Sequence, residues 1–75
     1  MNRENNMKFK ITDLDLFQRR VFGADSFLQY WPQLTTTGIE IEKLGDYFYI
    51  MINNQIANDT AFFNEDEMQY LEKVV

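Results

Sequence analysis

The chain has 75 residues, no cysteine, no histidine, 45% hydrophobic residues and a formal net charge of −5. A chain of this length forms one small domain, its missing cysteines exclude disulfides and thiolate metal sites, and its missing histidines remove the commonest general base. We therefore expect a flexible leader over residues 1–6, a single globular domain over residues 7–75, and no enzymatic activity, metal or cofactor.

Charge is unevenly distributed along the chain. Residues 1–37 carry five basic and four acidic side chains, whereas residues 38–75 carry eight acidic and two basic ones. The acidic half disfavours direct binding to nucleic acid, whose affinity comes mainly from cations that displace phosphate counterions. A protein with a basic surface is the more suitable partner. The sequence has no apolar run of signal-peptide or membrane-span length, so we expect a cytoplasmic protein.

The first elements follow from alternation and capping patterns. MKFKI alternates apolar and basic residues over positions 7–11, which predicts a half-buried strand whose lysines suit an edge of the sheet. Thr12 or Asp13 can cap a helix with an apolar stripe at Leu14, Phe17 and Val21, and Gly23 can end it.

A second short helix is predicted directly afterwards. Ser26 with Gln29 three residues later fits a capping box for the helix SFLQY, which Pro32 then ends. The following QLTTTG reads as a linker.

From Gly38 onward, apolar residues recur at every second position, as in a β-strand. GIEIEKL and YFYIMI flank Gly45-Asp46, a pair suited to a two-residue type II′ hairpin loop. The resulting register separates two faces of the hairpin. The inner face gathers Ile39, Ile41, Phe48, Ile50 and Ile52, and the outer face gathers Glu40, Glu42, Leu44, Tyr47, Tyr49 and Met51.

The rest of the chain predicts one more strand and one more helix. Asn53-Asn54 can form a second tight turn, after which QIA adds a strand that places Ile56 on the outer face. Asn64 and Glu67 form a capping-box pattern, with Phe63 and Met68 as a hydrophobic staple, for a helix over residues 65–75. The apolar stripe of this helix comprises Met68, Leu71, Val74 and Val75.

Together these elements predict an α+β fold in the order β-α-α-β-β-(β)-α. A small antiparallel β-meander packs against two to three helices. The outer sheet face is the candidate partner-binding site, because YFYIMI is apolar on both faces and something must cover the second one. The last helix, a foreign protein or a second copy of the chain could each do so. The candidate site comprises Glu40, Glu42, Tyr47, Tyr49, Met51 and Ile56.

The segment NDTAFFNEDE, residues 58–67, holds four carboxylates and no basic side chain. Its spacing does not match the EF-hand calcium loop, and it lacks the glycine at that loop's sixth position. We interpret it as the entry to a helix and as a secondary acidic patch. The patch comprises Asp59, Glu65, Asp66 and Glu67.

One short motif has an enzymatic counterpart. KITDLDLF, with Asp13 and Asp15 after a strand, resembles the nucleophile motif of haloacid-dehalogenase-like phosphatases, in which two aspartates hold Mg²⁺ and act on the phosphate ester. The resemblance covers only these residues, lacks the Thr or Val that usually follows, and belongs to a fold larger than this chain. We expect a helix cap here, with a minimal hydrolase as an alternative.

The function that these observations predict is non-catalytic. The chain is expected to be an acidic protein-binding module that inhibits or modulates a larger protein with a basic, nucleic-acid-binding surface. Phage-type inhibitors of host nucleases or defence complexes are analogous in size and charge only. The alternative in another class is a structural subunit that forms a homodimer through Tyr47 and Tyr49.

Overall fold

An antiparallel sheet packs against two short helices in the computed structural model, which describes residues 7–74. This is the predicted α+β fold. The predicted leader over residues 1–6 lies outside the described residues, as does Val75. The helices and strands are β1 (Lys8–Ile11), α1 (Leu14–Arg20), α2 (Ala24–Tyr30), β2 (Ile39–Leu44), β3 (Tyr47–Ile52), β4 (Gln55–Ile56), β5 (Phe62–Phe63) and β6 (Leu71–Lys73).

The six strands of the described residues form one sheet, in which five follow the order β4-β3-β2-β1-β6 and β5 also pairs with β3. The short strands β4 and β5 share the remaining edge of β3, with Ile56 opposite Met51 and Phe63 opposite Phe48. β1 lies between β2 and β6. The first strand, predicted near an edge of the sheet, is therefore one strand in from the edge, because the C-terminal segment supplies the edge strand.

The β2–β3 hairpin has the register that the two-residue loop predicts. Leu44 lies opposite Tyr47, Glu42 opposite Tyr49 and Ile41 opposite Ile50. Gly45 has a φ of +70°, and the pattern of one positive φ at the first loop position is that of a type II′ turn. Asn53 and Asn54 both have positive φ, at 53° and 66°, so the second turn also forms as predicted.

The core lies between the inner face of the sheet and the two helices. Phe17 from α1, Phe27 from α2 and Phe63 from β5 meet at its centre: Phe27 stacks on Phe63 with ring centroids 4.3 Å apart, and Phe17 meets both rings edge-on. Such ring pairs add stability beyond the apolar area that they bury. The buried cluster comprises Phe17, Val21, Ala24, Phe27, Leu34, Ile39, Ile41, Ile50, Phe63 and Leu71.

The prediction is correct for the start of α1 but wrong for its end and for the start of α2: α1 ends at Arg20 with Val21 as its C-cap, and Gly23 precedes α2. Asp13 caps α1 by accepting the backbone N–H of Leu16 at 3.2 Å, as expected, although Leu14 of the predicted stripe is exposed. The Ser26 cap is wrong, because α2 begins at Ala24 immediately after Gly23, whose carbonyl accepts the N–H of Phe27 at 3.1 Å. Ser26 is an exposed residue inside the helix.

The predicted linker after α2 contains regular structure. Pro32–Thr35 form a 3₁₀ helix, with the proline in its first turn, and Leu34 is completely buried. Leu34 supplies the apolar contact that keeps this connection on the core. The only linker-like stretch of the sequence is therefore part of the packed domain.

The predicted C-terminal helix over residues 65–75 is the main error in the expected fold. The chain instead forms a 3₁₀ helix over Glu67–Tyr70 and then β6, which pairs antiparallel with β1. The backbone N–H of Thr12 donates to the carbonyl of Tyr70 at 3.1 Å, and that of Val74 donates to the carbonyl of Lys8 at 2.7 Å. The C-terminal segment thus pairs with the free edge of β1 as a strand, so no C-terminal helix covers the outer face.

Candidate functional site

The outer face of the sheet carries an aromatic cluster at its β3 side. The alternation of β2 and β3 places Leu44, Tyr47 and Tyr49 on this face, and the pairing of β5 adds Phe62 opposite Tyr49. The Phe62 ring centroid lies 4.6 Å from that of Tyr47 and 5.6 Å from that of Tyr49. We call the set formed by Leu44, Tyr47, Tyr49, Ile56 and Phe62 the Tyr patch.

The Tyr patch is accessible to solvent. Tyr47 is 42% exposed, and Ile56 and Phe62 are exposed to nearly the same extent, whereas Tyr49 is half-buried in the middle. A half-buried ring surrounded by more exposed apolar side chains has the arrangement of an interface anchor and its rim. The patch therefore offers apolar contact area together with two phenolic hydroxyl groups.

Met51 behaves differently from the other residues of the predicted site. It is 7% exposed and lies outside the buried cluster between the sheet and the helices. Its strand partner Ile56 is exposed. Met51 is therefore buried and offers little surface of its own to a partner.

The remaining part of the outer face is charged, with both signs present. Glu42 is exposed beside the patch and lies opposite Tyr49. Glu40 lies opposite Lys8, and the next strand pair places Lys10 opposite Glu72. Sequence reasoning assigned Glu40 and Glu42 to an acidic surface, but the register shows basic side chains beside Glu40. The acidic character of this face is therefore weaker than the net charge of the chain's second half suggests.

The secondary acidic patch consists of three exposed carboxylates and one carboxylate that accepts backbone hydrogen bonds. Asp59, Glu65 and Asp66 are exposed. Glu67 and Asn64 form the predicted capping box: the Asn64 side-chain oxygen accepts the N–H of Glu67 at 2.7 Å, and the Glu67 carboxylate accepts the N–H of Asn64 at 2.9 Å. Across residues 7–74, no three acidic side chains converge in a way that could hold a metal ion.

The carboxylates of the phosphatase-like motif have local partners. Asp13 caps α1, and Asp15 pairs with Arg19 one turn later on the exposed side of the same helix. The helix-cap interpretation of Asp13 is thus confirmed. Asp15 is committed to a surface ion pair, a kind of interaction that contributes little to stability.

A second surface feature lies on the helical side, in a groove between α2 and the segment before β5. The groove has a volume of about 370 Å³ and falls within the usual range for small-ligand sites. We call it the aromatic groove. The rings that line it belong to Phe22, Phe27, Tyr30, Trp31 and Phe62, and its polar side chains are Ser26, Asn58 and Thr60.

Several rings of the aromatic groove are open to water. Phe22 is 91% exposed and Tyr30 is 67% exposed, while Trp31 is half-buried and Phe27 is buried. Trp31 lies against both neighbours on the helix, with ring centroids 5.8 Å from Phe27 and 6.0 Å from Tyr30. Phe62 lines the groove and also contacts Tyr47, so the groove and the Tyr patch meet at one ring.

Sequence reasoning did not identify the aromatic groove. Two local signals could have indicated it. Phe22 falls outside the α1 stripe and precedes the turn glycine, and Phe62-Phe63 in an extended segment must point to opposite faces. The spatial meeting of Phe62 with α2 depends on long-range packing and had no signal in the sequence.

Comparison with family models, with curated proteins and with solved structures found no match to this chain. The described helices are also too short and too polar to cross a lipid bilayer.

Proposed function

We propose that the protein is a non-catalytic acidic module that binds a larger protein with a basic surface and inhibits or modulates it. The observation that carries the proposal is the Tyr patch, in which the Phe62 ring contacts both tyrosine rings and four of the five apolar side chains are exposed on one sheet face. Tyrosine is enriched at protein interfaces because its ring loses water readily while its hydroxyl keeps a hydrogen bond.

Charge supports a basic partner. The chain carries a formal charge of −5, and the exposed Glu42 borders the Tyr patch. Acidic residues at the edge of an interface steer a basic partner during encounter, while the apolar centre holds the complex. We therefore propose that Tyr49 slows dissociation of the complex and that the acidic residues speed its association.

The module is proposed to inhibit its partner by direct contact, because its charge pattern does not suit imitation of a nucleic acid. Double-stranded DNA carries one charge per ~1.7 Å of axis. The outer face offers Glu40, Glu42 and Glu72, but it also carries Lys8 and Lys10 opposite two of these acids. A module of this kind covers or closes a basic nucleic-acid cleft of its partner without reproducing a phosphate backbone.

Affinity capture with matched variants tests the proposal. Immobilised wild-type protein is incubated with a lysate of the source organism, in parallel with Tyr49→Ala and with Leu14→Ala, which removes an exposed apolar side chain from the helical side. We expect a basic protein that the wild type and Leu14→Ala retain and that Tyr49→Ala loses. Purified, this partner should release a fluorescent oligonucleotide when the module is added.

Two outcomes would contradict the proposal. Equal retention of the partner by the Tyr49→Ala protein, verified as folded by circular dichroism, would remove the Tyr patch from the interface. A stable dimer in light scattering that Tyr49→Ala converts to monomer, without any foreign partner, would favour the structural-subunit alternative.

A further inference from the structure

The aromatic groove combines exposed rings with uncharged polar groups. Isolated exposed apolar residues are ordinary on protein surfaces, whereas contiguous apolar patches usually mark interaction sites. Of the large hydrophobic side chains in residues 7–74, Phe22 and Tyr30 are the two most exposed, at 91% and 67%, and both line the same groove. Trp31 also lines the groove, with its ring beside those of Tyr30 and the buried Phe27. This concentration of rings points to a ligand with a flat or elongated apolar part.

The backbone that carries Phe22 is held in place. Val21 on one side is buried in the core, Gly23 on the other has a φ of +73°, and the N–H of Phe22 donates to the Glu67 carboxylate at 2.9 Å. The backbone of this short turn is held on both sides. The Phe22 side chain therefore loses less conformational freedom on ligand binding than it would on a mobile loop. The exposed ring is thus presented to the solvent by a restrained turn.

The chemistry of the groove suits a guanidinium group. Among the described residues no lysine or arginine lines it, and the exposed acids Asp25 and Asp59 are next in sequence to lining residues. Trp and Tyr rings attract cations over their faces, and the planar guanidinium also stacks on them. The Thr60 hydroxyl donates to the Asn58 side-chain oxygen at 2.7 Å, which leaves its lone pairs for an incoming N–H donor.

We infer that the aromatic groove is a second binding site, which takes an arginine side chain from an extended basic segment of the partner protein. The guanidinium stacks on Trp31 and Tyr30, its N–H groups reach the Thr60 hydroxyl, and a neighbouring apolar side chain of the segment packs against Phe22. The inference rests on the proposed function and extends it, because Phe62 joins the groove to the Tyr patch. One partner can then contact both surfaces.

Trp31 provides a direct readout, because it is the only tryptophan of the chain. The probe is the acetylated and amidated pentapeptide Gly-Arg-Leu-Arg-Gly, and the comparison peptide contains citrulline in place of both arginines, which keeps the shape and removes the charge. Trp31 emission and the NMR shift of its indole N–H are followed during titration to about 10 mM peptide, a range chosen for weak binding near the millimolar scale. We expect saturable changes, and about three- to fivefold weaker binding of the citrulline peptide, as a cation over an exposed ring predicts.

Matched variants locate the response in the groove. Tyr30→Ser and Phe22→Ser each remove a ring that is mostly exposed and so leave the core intact. Both should weaken binding of the arginine peptide by about threefold or more, in line with the cost of losing one ring contact. Leu14→Ser, which removes an exposed apolar side chain outside the groove lining, should bind like the wild type.

The inference is overturned by equal affinity for the two peptides, by unchanged binding in the folded Tyr30→Ser and Phe22→Ser variants, or by the absence of any saturable response. These measurements need no partner protein. A negative result for the groove is therefore distinguishable from a negative result for the proposed function. The latter is tested by whether the Tyr49→Ala protein fails to retain the partner in affinity capture.

Discussion

The carboxylate of Glu67 accepts the backbone N–H of Phe22 at 2.9 Å, across 45 positions of the sequence. Its other oxygen accepts the N–H of Asn64 within the capping box. One half-buried side chain therefore joins the turn between the helices to the turn before β6. Local capping and long-range packing depend on the same carboxylate.

Replacing Glu67 with Gln tests this double role. A glutamine side chain has one carbonyl oxygen and one NH₂ group, so it can accept only one of the two N–H groups and faces the other with a donor. Loss of a hydrogen bond to a charged group should lower the free energy of unfolding by about 1.5–3 kcal/mol. Urea denaturation provides the measurement.

The control for Glu67→Gln is Glu65→Gln, which makes the same change of charge in the same turn at an exposed position. Surface substitutions of this kind usually remain within about 0.5 kcal/mol of the wild type. If both variants unfold at the same urea concentration, the Phe22 link contributes nothing to stability.

Asn64 gives a second prediction about this turn. Its side-chain oxygen accepts the N–H of Glu67 at 2.7 Å, so Asn64→Ala should lower the free energy of unfolding by about 1 kcal/mol. Asn64→Ser, which keeps an acceptor, should restore most of the loss. A denaturation midpoint that is the same for all three proteins would mean that the cap is not formed in solution.

The capping box also shows how far the sequence could predict the fold. The pattern of Asn64 and Glu67 correctly located a turn, because the two residues satisfy each other's backbone groups whatever follows. It could not determine what followed. The spacing of Met68, Leu71 and Val74 fits a helix, yet Leu71 lies opposite Ile11 in the sheet, because β1 offered an unpaired edge that only the tertiary structure reveals.

The register of the β2–β3 hairpin, by contrast, could be predicted residue by residue because it depends on local sequence alone. A two-residue loop fixes the register of its strands, so Gly45 determines that Glu42 faces Tyr49. That local rule placed the predicted outer-face residues on a common surface. It could not place Phe62, which joins the surface from a strand ten or more positions away along the chain and completes both the Tyr patch and the aromatic groove.

Gly38 should tolerate no side chain. It has a φ of +87°, and a Cβ atom there would lie 2.7 Å from Val74 Cγ2 and 3.0 Å from the carbonyl oxygen of Phe9. Gly38→Ala therefore combines backbone strain with overlap at the junction of β1 and β6, and should lower the free energy of unfolding by about 2–4 kcal/mol.

The matched control for Gly38 is Gly45→Ala. Gly45 also has a positive φ, at +70°, but a Cβ atom there has open space around it. Only the backbone term of about 1–2 kcal/mol applies to this variant. Thermal unfolding should show the larger decrease for Gly38→Ala, and equal decreases would argue against close packing of the C-terminal strand at Gly38.

The acidic segment should be indifferent to divalent cations. Asp59, Glu65 and Asp66 are exposed, and Glu67 already accepts two backbone N–H groups. A specific cation at 100 times its dissociation constant would add ~2.7 kcal/mol of stability. We expect Ca²⁺, Mg²⁺ and EDTA each to leave the melting temperature unchanged in calorimetry, and an increase of several degrees with one cation would establish a metal site here.

The Tyr patch and its neighbouring glutamates should affect different rate constants of the partner complex. Tyr49 is half-buried at the centre, in contact with Phe62. Tyr49→Ala should speed dissociation, because truncating a central aromatic anchor commonly costs ~2 kcal/mol or more of binding free energy. Association should change little, since the substitution alters no charge.

Reversing Glu40 and Glu42 to Lys should mainly slow association and weaken its dependence on salt, because charges at the periphery steer the encounter. The register adds a distinction between the two residues. Lys8 lies opposite Glu40, so Glu40→Lys places two like charges together and also lowers stability, whereas Glu42 lies opposite Tyr49 and its reversal leaves the fold undisturbed.

Glu42→Lys is therefore the cleaner test of steering, and Glu65→Lys, with the same charge reversal on the acidic turn, is its matched control. Surface plasmon resonance at two salt concentrations measures both rate constants. We expect Glu42→Lys to lower the association rate more than Glu65→Lys at low salt, and the difference to shrink as salt screens the exposed charges. Should Tyr49→Ala and Glu42→Lys both bind the partner at wild-type rates while remaining folded, the outer face of the sheet plays no part in the interface.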